Sequence, residues 1–145
     1  MPEKKIILFL ALYSLLLITL CSVFQFDGLY GQDGYAYLRQ AKTFFSVKSH
    51  SEFWPPMYAF AGWLFSLVLQ NEILALQLVS IMSLTVSGFL LIKVVQHLYP
   101  NSKQTFLFVL TVYLTSPFAV RSGIVVMSDA IAVVFCLLVA YFIFV

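Results

Sequence analysis

From Ile6 to Phe24 the chain runs for 19 residues without a charged side chain. Backbone in hydrocarbon must satisfy its own N–H and C=O groups, so such a run folds as a helix. At about 1.5 Å per residue it reaches across the ~30 Å apolar core of a bilayer. Met1-Pro-Glu-Lys-Lys5 precedes it as a basic flank. The run is longer than the apolar region of a signal peptide, about 7 to 15 residues, and no small-x-small cleavage site stands before Gln25. Leu20 before Cys21 also fits a lipoprotein cleavage site poorly. Residues 1–24 are therefore read as a retained first spanning helix with Lys4 and Lys5 on the cytoplasmic side.

The rest of the chain has the same character. Hydrophobic residues make up 62% and charged residues 10%, whereas soluble domains carry about a quarter charged residues. This composition predicts an all-α, polytopic integral membrane protein. A net charge of +2 with no Lys/Arg cluster excludes a nucleic-acid partner. Cys21 and Cys136 lie in apolar runs, match no metal or redox spacing, and are expected to be buried free thiols. The sequence stops within the apolar run Ala140–Val145, with no interfacial anchor beyond it. It is accordingly expected to be the N-terminal portion of a longer protein.

Within an external loop over 25–72, residues 25–56 form a polar interlude containing Asp27, Asp33, Arg39, Lys42, Lys48, His50 and Glu52, closing on Trp54-Pro55-Pro56. Tyr37, Leu38, Ala41, Phe44 and Phe45 recur at helical spacing, so Gly34 to Phe45 is predicted to be an amphipathic helix at the interface. Asp33 falls at or just before its first turn, where a carboxylate satisfies free N–H groups and the helix dipole. Met57–Leu69 would reach only about 20 Å and is not expected to span. Ile73 begins a run long enough to cross, so 73–98 is the second spanning helix. If Met57–Leu69 crossed, Lys93 and Lys103 would face outward, against the positive-inside rule; if it does not, they join Lys4 and Lys5. Arg39, Lys42 and Lys48 on the external stretch oppose this arrangement. The chain then returns outward over 105–116, breaks at Pro117, and turns inward again over 128–145, with Ser128 as the expected N-cap. The sum is about four spanning helices, the fourth truncated, with external juxtamembrane helices between the first and second.

This topology gathers Asp33, Arg121 and Asp129 on the external side. Ionisable groups at membrane depth are costly and commonly line a cavity or meet a partner. A carboxylate can take the proton of an attacking hydroxyl, and an arginine can hold a phosphate through paired donors. The structural alternatives are that Asp33 and Asp129 serve as helix caps and Arg121 as a headgroup anchor. Trp54, Tyr58 and Trp63 fit an interfacial aromatic belt as well as a sugar-stacking platform. His50 and His97 stand alone. Gly28, Gly31 and Gly34 do not form a nucleotide fingerprint, because no strand precedes them.

The succession Gly31-Gln-Asp33-Gly-Tyr-Ala-Tyr-Leu-Arg-Gln-Ala41, Trp54-Pro55-Pro56-Met57-Tyr58, Ser116-Pro117 and Ser128-Asp129 resembles the N-terminal part of GT-C glycosyltransferases. It is most similar to the branch of protein O-mannosyltransferases and aminoarabinose transferases. The resemblance implies transfer of a sugar from a polyprenyl-phosphate carrier to a lipid, glycan or protein acceptor at the external face. It matches Asp33 to the family's catalytic external-loop acid and Asp129 to a second acidic residue opening a later helix. Tyr58, in the Pro-Pro-x-Tyr element beneath the site, is a candidate substrate-binding residue with Asp129, and Arg121, placed near Asp129 by sequence proximity alone, is the candidate phosphate ligand. Whether a divalent metal, Mg or Mn, assists is left open. Trp54 replaces the His, Tyr or Lys of several relatives, and Asp27 forms no adjacent pair with Asp33, unlike protein O-mannosyltransferases. The family's later helices are absent, so these 145 residues are expected to be inactive alone. The location implied is the bacterial inner or plasma membrane, multi-pass, with a cytoplasmic N-terminus and an external site. The competing expectation is a non-enzymatic polytopic subunit or transporter fragment.

Overall fold

The computed structural model describes residues 3–45, 55–100 and 102–145. Lys48, His50, Glu52, Trp54 and Asn101 lie outside the described residues. Every regular element among those described is helical: α1 (Glu3–Val23), α2 (Gly31–Lys42), α3 (Pro56–Leu69), α4 (Glu72–Leu98), α5 (Lys103–Thr115), α6 (Pro117–Ile124) and α7 (Asp129–Phe144).

Two of these, α1 and α4, are long and apolar enough to cross a membrane. A third crossing arises if α5 and α6, bent by 55° at their junction, count as one. Pro117 sets that bend. It holds Ser116 in an extended conformation, φ −61° and ψ 123°, and cannot donate the N–H that would continue α5. At 16 residues, α7 reaches about 24 Å as a helix, short of the hydrocarbon thickness. Met57–Leu69 falls within the 14 residues of α3, which is likewise too short.

The other helices pack around α4. Leu10 lies against Gly88, Ser14 is hydrogen-bonded to Thr85, and Ile18 and Cys21 share a groove with Leu74, Gln77 and Ile81. Positions rising along α1 thus fall along α4, so the two helices are antiparallel. Ile6 joins Ile92 and Phe106 in one apolar cluster, which sets Lys4 and Lys5 at the same end of the bundle as the last turns of α4 and the start of α5. The α2–α3 excursion leaves and rejoins the bundle at the opposite end. That agrees with the expectation that Met57–Leu69 does not carry the chain across.

Close approaches explain why α4 can hold so many neighbours. Ser80, Ser83, Ser87 and Gly88 are buried along it, and small side chains let backbones come together. A Cβ on Gly62 of α3 would collide with Leu76, and one on Gly123 of α6 with Leu84. The α3–α4 turn is closed at both sides. Gln70 takes a left-handed conformation, φ 53°, and Asn71 caps α4 by accepting from the Leu74 N–H at 3.0 Å. In contrast, α1 is covered on one side only: Leu8, Leu12, Leu15 and Leu16 are each more than half exposed. Such an apolar stripe suits lipid.

Two expectations need correction. The amphipathic helix spans Gly31–Lys42 and not Gly34–Phe45. It ends where Thr43 turns both its N–H and its hydroxyl back onto the Arg39 carbonyl. Phe44 and Phe45 therefore lie beyond the helix. Cys21 is buried as expected, but Cys136 is exposed, because its face of α7 packs against no other helix.

Candidate functional site

The loop after α1 and the segment between α6 and α7 are joined at the α2–α3 end of the bundle. Gly28 makes the joint possible. Its φ is +75°, and a Cβ there would stand 2.6 Å from the Ile124 carbonyl oxygen. Only glycine accepts both conditions without strain. Its own carbonyl accepts from the Val126 N–H at 2.8 Å. Beneath, the buried Gln77 amide donates to the Phe26 carbonyl at 3.0 Å and to the Ile124 carbonyl at 3.1 Å. One side chain of α4 thus holds the two segments from which α2 and α7 start.

Asp33 is the first-turn acid of α2 and Asp129 that of α7. They come to the same phenol. Tyr37, one turn past Asp33, is buried, and its hydroxyl donates to Ser128 Oγ at 2.7 Å. Burial pushes the Tyr37 pKa up; the Ser128 bond lowers it, and the carboxylates of Asp33 and Asp129 both raise it. Because Ser128 directly precedes Asp129, the same bond ties the start of α7 to the helix that opens on Asp33. Asp33 itself is half-buried and Asp129 exposed.

Neither acid position is a simple cap. The N-cap of α2 is Tyr30, which makes no side-chain cap bond. Asp33 stands inside the first turn and makes no side-chain hydrogen bond to the described residues. Ser128 occupies the N-cap position of α7, as expected, yet its side chain does not cap the helix. Its oxygen accepts from Tyr37 instead.

Tyr58, expected to touch substrate, is 1% exposed. Its hydroxyl is bonded to the Leu76 carbonyl at 2.9 Å and to Ser80 Oγ at 2.7 Å. Its ring meets Tyr37 edge-on, with centroids 4.8 Å apart. The Pro55–Pro56 start of α3 sends this residue inward, where it supports Tyr37 from below. Burial raises its pKa, and Tyr37 beside it adds to the rise. Trp63, by contrast, stays at the outer side with Phe44, Phe45 and Phe60.

Arg121 is exposed in the last turn of α6, its guanidinium 5.3 Å from the centre of the Tyr30 ring. This is a cation–π contact. It does not pair with Asp33 or Asp129. It lines an open groove of about 680 Å³ together with Phe26, Tyr30, Thr115, Val120 and Ile124, and neither acid borders that groove. Tyr30 is the only residue through which Arg121 meets the start of α2 among these contacts.

Sequence reasoning placed Tyr37 merely on an apolar helical face and passed over Gln77. Gln77 carries a signal: it is an amide within the long apolar run of α4, and polar groups at such depth seek a partner. Tyr37 carries none, since tyrosine is as common in an interfacial belt as in a polar joint. Among the described residues no three His, Cys, Asp or Glu side chains converge. No family model, curated protein or solved structure matches the chain.

Proposed function

We propose that this chain forms the acceptor-side part of a membrane glycosyltransferase that moves a sugar from a polyprenyl-phosphate carrier to an acceptor at the external face. The supporting observation is that the Tyr37–Ser128 hydrogen bond ties α2, which carries Asp33 in its first turn, to the start of α7, where Asp129 follows Ser128, at the bundle end opposite Lys4 and Lys5. In this reading Asp33 takes the proton from the acceptor hydroxyl as that oxygen attacks the anomeric carbon, and the carrier phosphate departs with the bonding pair. Asp129 orients the acceptor. Arg121 meets the departing phosphate from its neighbouring groove. Tyr37, bonded to Ser128 and backed by the Tyr58 ring, ties together the helices that carry the two acids, so both tyrosines are positioning residues. The finer topology belongs to the same reading: α7 begins a fourth crossing, and the Lys4, Lys5, Lys93 and Lys103 end is cytoplasmic.

The test is sugar transfer by the full-length protein carrying Asp33→Asn. Activity is lost while expression and membrane insertion are kept; retained transfer overturns the assignment. If the acids only shape helix ends in a non-enzymatic subunit or transporter, the same variant costs at most about 0.5 to 2 kcal/mol of stability and has no chemical phenotype. Orientation is checked by cysteine labelling with Asn71→Cys and Asn101→Cys in a background lacking Cys21 and Cys136. Position 71 reacts from outside and position 101 from inside; the reverse separates the site from the external face.

A further inference from the structure

The outer face of the α2–α3 hairpin combines two features that the catalytic reading leaves unused. The last turn of α2 carries Arg39 and Lys42, one turn apart and both exposed. Among the described residues neither is ion-paired. The residues just beyond them bring Phe44 and Phe45 onto α3. Phe45 meets Trp63 with centroids 4.6 Å apart, and Phe44 meets Phe60 at 5.3 Å. From this aromatic group a face of α3 left uncovered by the described residues continues through Met57, Leu64, Leu67 and Val68, between 49% and 82% exposed.

Aromatic rings beside cations, above a wholly apolar helix face, match the layering of a bilayer interface: acyl chains, then the aromatic belt, then headgroups. A basic pair at headgroup level favours lipids of net negative charge over zwitterionic ones, whose own cation offsets the phosphate. A second copy of the chain fits the face poorly, because a two-fold contact would bring two Arg39/Lys42 pairs together. We infer that the α2–α3 hairpin is an anionic-phospholipid binding site, with Arg39 and Lys42 on the headgroup and Phe45, Trp63 and the outer face of α3 against the acyl chains. This also gives Arg39 and Lys42 a reason to stand on a stretch where the positive-inside rule disfavours them. It does not depend on the sugar-transfer reading.

The experiment uses a Trp54→Phe variant, which leaves Trp63 as the single tryptophan of a chain that has two. The protein is reconstituted in phosphatidylcholine vesicles, and Trp63 fluorescence is quenched by brominated phosphatidylglycerol or brominated phosphatidylcholine. The anionic lipid quenches at lower mole fraction, and raised salt weakens that preference. Neutralising one cation, by Arg39→Gln or Lys42→Gln, lowers the preference about fivefold. Arg39→Lys and Lys42→Arg retain it. Quenching by the neutral lipid, unchanged in each variant, confirms that the hairpin is still in place. Equal quenching by both lipids in the parent, or a preference that survives the double neutralisation, overturns the proposal. So does the absence of quenching by either lipid, which means that protein covers the face.

Discussion

Tyr37 donates its hydroxyl proton to Ser128 Oγ at 2.7 Å, and this bond ties the second turn of α2 to the residue that opens α7. The same contact takes Ser128 away from capping its own helix. A local interaction that the sequence favours has given way to a long-range one.

Tyr37→Phe removes the bond while keeping the ring against Tyr58. The expected cost is about 0.5 to 1.5 kcal/mol, read as a lower thermal midpoint in detergent. Ser128→Ala costs a similar amount. The two changes together cost less than their sum, because the second removes a partner already lost.

The ionisation of Tyr37 gives a pH dependence of definite sign. Its folded pKa lies above the ordinary 10.0, through burial and the carboxylates of Asp33 and Asp129. The fold thus favours the neutral phenol. The stability this contributes is fully present below pH 10.0 and is lost as pH rises through the higher folded value. Phenolate absorbance should show Tyr37 titrating above the ordinary 10.0, and only as the protein unfolds in alkali. Tyr37→Phe reduces the alkaline loss of stability.

Gln77→Leu keeps the bulk but strips the donors from the Phe26 and Ile124 carbonyls. Leaving such groups unpaired costs about 1 to 3 kcal/mol. Because the amide joins two segments, a cysteine introduced at Ile124 should also react faster with a soluble maleimide in this variant than in the parent. An unchanged rate would show that the Gly28–Val126 backbone bond suffices alone.

Gly28→Ala and Gly31→Ala separate strain from collision. Both glycines have positive φ, +75° and +66°, but a Cβ at Gly31 meets nothing whereas one at Gly28 meets the Ile124 oxygen. Gly31→Ala should cost about 1 to 2 kcal/mol, the price of the left-handed conformation. Gly28→Ala should cost distinctly more and shift the midpoint further, since the backbone itself has to move.

Much of the fold was legible because hydrocarbon leaves few choices. Nineteen uncharged residues from Ile6 could only be a helix, and α1 and α4 fall within a few residues of the expected spans. Pro117 was readable as a break for an equally local reason. The start and end of α2 were not, since Gly31 and Thr43 set them through backbone angles and a hydroxyl bond that periodicity does not encode. The fate of α7 was also beyond reach: past Asp129 it is apolar to Phe144, and such a helix gives no sign of which face meets protein and which meets lipid.

The sequence by itself determined that the chain is helical, that its long apolar runs could cross a membrane, and that Asp33 and Asp129 stand at helix starts. Each of these follows from one stretch of residues and the solvent it must meet. Only the tertiary structure decided that the Tyr37 hydroxyl meets Ser128 beside Asp129, that Tyr58 lies underneath, that Gln77 clasps the two loops, and that Arg121 faces a groove of its own. Those relations join residues far apart in the chain. They depend on how closely helices approach α4 at Gly62 and Gly123 and on a backbone joint that Gly28 alone permits, and packing of that kind leaves no periodic trace in sequence.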